Sequence, residues 1–459
     1  MNHLSDFLTA IHRSNEWRAT AALRHYQLEI LGGLGFSVPS PFDGESYSIE
    51  ASFLIASDQI AYSFCNANFY LLVGPQYAGY PLDRLVDTVK KRMYTIITDE
   101  DEPALTEAGG LSDFENLMGM IDSLQRQSAL SDSRRADSTI TPQNGPDIYP
   151  DEQIHALFGD GNFAHLVWNG WPAIAELPNF NLDLDPVCFV SRCDPLGDPR
   201  MLFPWLEGTQ LCNWDDRSDL HRGRRLDQAV LLGSSFLPAA LAGDVLELCK
   251  RLADTVLMDQ GKQFRARGKP VVWMSLRRRA RDCINNVEFL ADLIERIGHY
   301  EDVSLIMDGF AYPDCPLPDF FHDYRKHVDN DFERLLKLCP ALVEIVDDGR
   351  LCFLNGCSIF DAIALGSYAD FYVSHGGTQQ HKISWFHAVP GVIHLPNPSP
   401  SVEAWYAAQS EIALPPQCIP ASAIDVEISD MSNAEEQSYR ILIEEGVEFT
   451  MQAFIDSLE

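Results

Sequence analysis

Residues 375–378, His-Gly-Gly-Thr, follow the apolar run Ala369-Asp-Phe-Tyr-Val-Ser374 and precede a helical pattern from about Gln379 to His387. A strand, a glycine turn and a helix start, in that order, can hold an anion. Gly376 and Gly377 let the backbone come close to a ligand, and the first-turn amides of a helix favour negative charge. Thr378 is a residue type that caps such a helix. Lys382, about one turn on, is within reach of a phosphate. An ordinary β–α turn shows the same residues, so a second anion-binding element is needed to tell the two apart.

That element lies about a hundred residues earlier. From Lys262 to Arg281 there are eight basic residues and no acidic one, in a chain of net charge −33. The run closes with Arg277-Arg-Arg279-Ala-Arg281, just after the strand-like Val271-Val-Trp-Met274. Clustered cations at a strand end require a counter-anion, and arginine binds phosphate with paired hydrogen bonds. Arg277 and Arg279 on one side, and the His375–Thr378 turn with Lys382 on the other, would together neutralise a diphosphate. The alternative is a solvated loop paired with surface carboxylates. Asp308, at the end of Val303–Met307, is placed to bind a ribose hydroxyl or a base.

A third candidate is His165. It follows the turn Gly159-Asp-Gly161 and stands four residues before Asn169, so on a helix the two share a face. An imidazole at a cleft mouth takes a proton from an acceptor hydroxyl at near-neutral pH; a locally bonded core histidine is the plainer reading. Asp183-Leu-Asp185 and Asp99-Glu-Asp101 imitate a metal-binding Asp-x-Asp but sit in acidic, loop-like sequence. No zinc motif, P-loop or serine nucleophile elbow is visible.

The surrounding elements suit these roles. A chain of 459 residues, 46% hydrophobic, supports about two domains with large cores. The boundary is expected near residue 260, giving an N-terminal α/β domain over 1–260 on the acceptor side and a Rossmann-like domain over 261–459. In the second half, buried runs at 270–275, 303–307, 341–346, 369–374 and 392–395 alternate with amphipathic helices. That pattern implies a parallel sheet covered on both faces, with ligands beyond the strands' carboxyl ends.

In the first half, 4–32 reads as helix, 47–55 and 69–73 as strands, and Pro81–Ile97 as helical or mixed. Val187–Ser191, Leu211–Trp214 and Ala229–Leu232 read as further strands. Residues 128–145 read as a flexible loop, Leu237–Met258 as one long helix and Gly261–Pro270 as a linker. The acidic surface argues against nucleic acid and anionic membranes as partners. Eleven dispersed cysteines fit a reducing compartment. With no signal-peptide pattern and no long apolar span, a cytoplasmic protein without a transmembrane segment is expected.

Asn162-Phe-Ala-His165 with the downstream Trp171-Pro172, the arginine loop 277–281, and Ala369-Asp370-Phe-Tyr-Val373 entering His375-Gly376 resemble a known glycosyltransferase family. It is the family that includes plant xylan xylosyltransferases and protein O-mannose N-acetylglucosaminyltransferases. This chain has Gly377-Thr378 where that family has Ala-Gly, and its first 150 residues have no counterpart there. The resemblance implies a GT-B-like fold, two Rossmann-like domains facing across a cleft. It further implies metal-independent, cofactor-free transfer of a sugar from a nucleotide-sugar donor to a saccharide or glycoconjugate acceptor. His165 would be the base, and Arg277, Arg279, Asp308, His375–Thr378 and Lys382 the donor-binding residues. A polysaccharide pyruvyl-type transferase on the same scaffold, or a catalytically silent binding subunit, are the other expectations.

Overall fold

A computed structural model describes residues 2–11, 25–33, 36–56, 59–73, 84–97, 104–137, 154–191, 193–213, 225–226, 228–233, 236–277, 282–315, 321–426 and 438–459. The chain divides into two compact units. The first takes Met1–Gly161, His165–Asp194 and Phe203–Phe236; the second takes Asn162–Ala164, Pro195–Leu202 and Leu237–Glu459. The division therefore falls at 236/237 rather than 260/261.

The first unit contains α1 (Asn2–Ile11), α2 (His25–Leu31), β1 (Ser37–Pro39), β2 (Ser46–Ala56), β3 (Gln59–Phe64), β4 (Phe69–Val73), β5 (Arg84–Asp87), β6 (Arg92–Ile97), β7 (Ala104–Glu107) and α3 (Leu111–Asp137). After β8 (Ile154–Phe158), the helix α4 (Phe163–His165), whose first two residues are assigned to the second unit, runs into a π-helical turn, Leu166–Gly170, and then α5 (Trp171–Glu176). The unit ends with β9 (Val187–Ser191), β10 (Gln210–Asn213), β11 (Arg225–Leu226) and β12 (Gln228–Leu231).

Strands β1 to β7 pair antiparallel in chain order, with β11 added against β2. Alternate residues Ala51 and Phe53, with Ala61, Leu72, Val86 and Met93, make one face. Phe114 and Ile121, seven apart on α3, cover it. The opposite face carries Tyr62, whose hydroxyl donates to Ala229 O at 2.6 Å. The reading of Pro81–Ile97 as helical or mixed is corrected over residues 84–97, the part that is described: β5 and β6 form a hairpin across Thr88–Lys91, with Lys91 at φ 55°. The loop expected over 128–145 is helical in α3 as far as Asp137; its remainder lies outside the described residues.

Strands β10-β9-β8-β12 form a second sheet, all parallel. Numbered from its own first strand its order is 3-2-1-4, so the direction reverses between β8 and β12. The first unit is thus not simply Rossmann-like, because an antiparallel sheet makes up its N-terminal half.

The second unit contains α6 (Ala239–Leu252), α7 (Thr255–Ala266), β13 (Val271–Ser275), α8 (Asn286–Tyr300), β14 (Ser304–Asp308), α9 (Phe321–Leu338), α10 (Pro340–Asp347), β15 (Leu351–Leu354), α11 (Ile359–Leu365), β16 (Phe371–His375), α12 (Thr378–Ser384) and β17 (Gly391–His394). It closes with α13 (Pro400–Ala407), β18 (Gln417–Cys418), β19 (Ile424–Val426), β20 (Tyr439–Ile441) and α14 (Ile443–Leu458). Its main sheet runs β15-β14-β13-β16-β17-β18, every pair parallel. Counted from β13, that is 3-2-1-4-5-6, the doubly wound order in which ligands bind where the winding reverses, here between β13 and β16.

Every residue of β13 is buried, as expected of a strand covered on both faces. Val272 and Met274 face the cluster built from α8, α9, α10 and α14; Val271 and Trp273 face the one built from α7, α11 and α12. Three expectations fail here. Residues 341–346 are helix α10, and the strand is Leu351–Leu354. The helix expected over Leu237–Met258 breaks at Ala253, where Asp254 caps α7 by accepting from Val256 N and Leu257 N. The expected linker 261–270 is mostly α7, whose Gly261 abuts the Tyr368 ring.

Candidate functional site

The carboxyl ends of β13 and β16 are stitched together. Ser275 Oγ lies 2.9 Å from Ser374 Oγ and accepts from His375 N at 3.2 Å. Directly beyond this seam Arg277 turns onto the glycine turn, its Nη1 2.7 Å from His375 Nδ1 and 3.4 Å from Gly376 O. A guanidinium always donates, so Nδ1 is the acceptor and the His375 proton sits on Nε2. The 2.6 Å approach of Nδ1 to Gly376 O is then two lone pairs bridged by one cation. Neither of these two partners carries charge.

The turn itself demands glycine. Gly377 has φ 122°, out of reach of ordinary side chains, and a Cβ on Gly376 would stand 3.0 Å from the Tyr406 hydroxyl. Thr378 does not cap α12 with its side chain. Its hydroxyl instead accepts from Asn162 Nδ2 at 3.3 Å, while Asn162 Oδ1 accepts from Ala164 N at 3.1 Å. Arg279 lies outside the described residues.

Asp308 and Lys382 take roles different from those expected. Both are buried, and Lys382 Nζ donates to Asp308 Oδ1 and Oδ2 at 2.8 Å each and to Gly309 O at 3.3 Å. Three donors meet three acceptors, which leaves the ammonium nothing for a phosphate. Burial pulls the Asp308 carboxyl above its ordinary range, and Lys382 pulls against it. The pair ties α12 to the end of β14. Gln379 adds to that tie, donating to Leu276 O at 2.9 Å and Gly309 O at 3.3 Å.

Two residues absent from the expectations belong to this edge. His394 ends β17 directly opposite His375 in register, and its Nδ1 lies 2.7 Å from the Tyr439 hydroxyl. Burial, reinforced by the positive charge of Arg277, pushes the His394 imidazole down to about 3. The signal for His394 was its position at the end of the Val392–Leu395 run, matching that of His375 in its own strand. Tyr439, some forty-five residues later, had none.

In the first unit, His165 lies beyond the carboxyl end of β8, the strand that borders that unit's reversal point. The anticipated partner is present: His165 Nδ1 is 3.2 Å from Asn169 Oδ1. The amide oxygen only accepts, so Nδ1 carries the proton and Nε2 the lone pair of the neutral ring. Asn169 is buried and lies in the π-helical turn, a local irregularity that re-aims side chains within a helix. Among the described residues no group of His, Cys, Asp and Glu is arranged to hold a metal ion, and no helix is long and apolar enough to cross a membrane.

No protein-family model matches the chain, and no curated protein does. The xylan and O-mannose transferase resemblance therefore rests on its short motifs alone. Among solved structures, a glycosyl transferase family 9 protein from Veillonella parvula is 8% identical, covers 68% of this chain and 99% of its own, and has a TM-score of 0.34. The UDP-GlcNAc 2-epimerase from Methanocaldococcus jannaschii is 11% identical over 65% of this chain and 92% of its own, with a TM-score of 0.32. The E. coli heptosyltransferase WaaC with ADP is 10% identical over 66% and 98%, also at 0.32. Likeness this faint assigns neither fold nor activity.

Proposed function

We propose that this protein is a glycosyltransferase that moves a sugar from a nucleotide-sugar donor to a saccharide or glycoconjugate acceptor. One observation carries the reading. Arg277 meets a glycine turn at the reversal point of a 3-2-1-4-5-6 parallel sheet. That is where such sheets take nucleotides, and the chemistry of the position favours a diphosphate.

In this reading the acceptor hydroxyl attacks the anomeric carbon, and the bond from that carbon to the diphosphate oxygen breaks. The electron pair leaves on the diphosphate, whose growing charge Arg277 stabilises without a divalent cation. The hydroxyl proton passes to Nε2 of His165, whose tautomer Asn169 sets. Asp308 and Lys382 contribute by fixing α12 rather than by touching the donor.

The test begins with the unmodified protein and a panel of nucleoside diphosphates, read by thermal shift, since a ligand that binds the native state raises its apparent stability. At least one diphosphate is expected to stabilise the protein more than its parent nucleoside does. An unchanged melting temperature across the panel would remove the donor site. With a donor in hand, His165→Ala is expected to lower turnover by about 10²–10⁴-fold with diphosphate affinity nearly intact. Unchanged turnover would return His165 to a packing role.

A further inference from the structure

The amino end of the second unit's main sheet holds a cavity of about 350 Å³ that the proposed transfer does not use. It lies where β16 and β17 begin, and Arg265 near the end of α7, Asp370 and His387 line it. At about 30 Å³ per water it has room for roughly a dozen waters, about the size of one monosaccharide.

Its polar groups are held in place. Arg265 Nη1 donates to Asp370 Oδ1, and Asp370 Oδ2 accepts from Val271 N at 2.9 Å. The carboxylate is thus fastened to β13 and orients the guanidinium. Among the described residues Arg265 has no other partner, so most of its N–H groups remain as donors. His387 is 7% exposed, and its Nε2 lies 2.9 Å from Ile363 O. A carbonyl only accepts, so Nε2 carries the proton and Nδ1 the lone pair, on a ring that burial keeps neutral. Gly366 admits this ring, since a Cβ there would stand 2.7 Å from Cδ2 and Nε2. Nδ1 lies on the other edge, and among the described residues nothing donates to it.

The lining therefore presents fixed donors and a fixed acceptor with no net charge: Arg265 and Asp370 cancel, and His387 is neutral. An anion would gain from Arg265 and lose to Asp370. Hydroxyls suit such a site because each both accepts and donates. Neighbouring hydroxyls can accept from Arg265 and donate to His387, while Val389 and Pro390 offer C–H surface to a sugar ring.

We propose that this cavity binds a neutral saccharide unit, either a free sugar or the end of a glycan. The site lies at the opposite end of the sheet from the glycine turn and does not depend on the reading of Arg277. An ion pair that merely fastened α7 to β16 would bind no sugar, and its loss would lower stability alone.

The experiment titrates the full chain, by saturation-transfer NMR and calorimetry, with the methyl glycosides of glucose, galactose, mannose and N-acetylglucosamine. At least one is expected to bind with a dissociation constant of about 1–10 mM, in keeping with so small a ligand. Arg265→Ala is expected to weaken that binding about tenfold or more, and His387→Phe, which removes the acceptor, about threefold to tenfold. Ala388 is exposed at the same cavity. Ala388→Glu sets a carboxylate against the N–H groups of Arg265 and is expected to cost about tenfold, which covers a His387 variant that fails to fold. A trisaccharide ending in the preferred sugar should bind as tightly if the site takes chain ends, and more weakly if it takes free sugars; either supports the site.

Failure of every glycoside to bind overturns the proposal. So does sugar binding that Arg265→Ala and Ala388→Glu leave unchanged, since it would lie elsewhere. A uronic acid bound about tenfold tighter than its neutral parent would make the cavity an anion site and overturn it as well.

Discussion

The two ends of β13 each have an arginine from the same basic run, and the two are used differently. At the amino end Arg265, from α7, pairs with Asp370, whose other oxygen accepts from Val271 N at 2.9 Å. That carboxylate fixes the start of the strand and cancels the arginine's charge together. A cavity of about 350 Å³ opens beside it, lined by Arg265, Asp370, His387 and Pro390 among others. At the carboxyl end Arg277 meets an imidazole and a carbonyl at the glycine turn. Lys382, at the same edge, resembles Arg265: its charge is spent on Asp308. A basic residue near a strand end thus says little about anion binding until its partners are known. The density of the basic run drew attention to this sheet, and contact with the glycine turn singles out one side chain in it.

The largest test of that distinction is Lys382→Met. It strands the Asp308 carboxylate, with 0% of its surface exposed, and is expected to cost about 3–5 kcal/mol in chemical denaturation. Lys382→Met with Asp308→Leu, which removes both charges, should recover most of the loss. A single variant of near-native stability would mean that the pair is not the tie it appears from its geometry, and Lys382 would again be available to a ligand.

Next in size is the contrast between the two arginines. Arg277→Ala is expected to weaken nucleoside diphosphate binding by about 1.5–3 kcal/mol, the range for hydrogen bonds to charged groups. Binding of the bare nucleoside should scarcely change. Arg265→Ala should leave both affinities alone and cost about 0–1 kcal/mol of stability, as for other solvent-exposed pairs. Equal effects of the two variants on binding, measured by titration calorimetry, would erase the difference between the two ends.

What the sequence made legible follows the same division between local and distant causes. β13, β14, β16 and β17 were readable because fully buried strands are short unbroken apolar runs bounded by turn residues. Their parallel direction followed from the β–α alternation, which also put Arg277 and the His375 turn at one end of the sheet. The run Ala341–Val346 misled because its β-branched residues suit a strand. Over six residues, however, the buried pair Leu342 and Ile345 also fits a helix. Pro340 at the first helical position, after Cys339 as cap, was the signal that decided it.

Gly261 looked like a break because glycine is a poor helix former; its cause is the Tyr368 ring a hundred residues away. The antiparallel sheet of the first unit was read only in part, since Pro81–Ile97 lacks clean alternation and gains its strands from pairing with β4 and β7. At the site, positions were legible where the turn or the strand end imposed them. They were misassigned where a partner far along the chain decides the role, as with Lys382 and Asp308. Tyr439 stayed invisible because its contacts are with His394 and with Asp282 and Ile284, all far from it along the chain.

The smallest effect concerns pH and belongs to the amino end. His387 is buried, its Nε2 2.9 Å from Ile363 O, and burial pushes its imidazole down to about 4 from the ordinary 6.5. Between those values the unfolded chain binds a proton that the folded one refuses, so stability falls as pH drops from 6.5 toward 4. The limit is about 1.4 kcal/mol per pH unit for one such group. His394 titrates with the same sign and continues lower, to about 3. His387→Gln removes only the first contribution. Between pH 7 and pH 5.5 the unmodified protein should therefore lose about 1 kcal/mol more than the variant in urea denaturation. Diphosphate affinity at pH 5.5 should be the same in both proteins, because His387 lies at the opposite end of the sheet from Arg277. A variant with an unaltered stability slope would place a proton on folded His387. A variant with altered diphosphate affinity would couple the two ends that their partners otherwise hold apart.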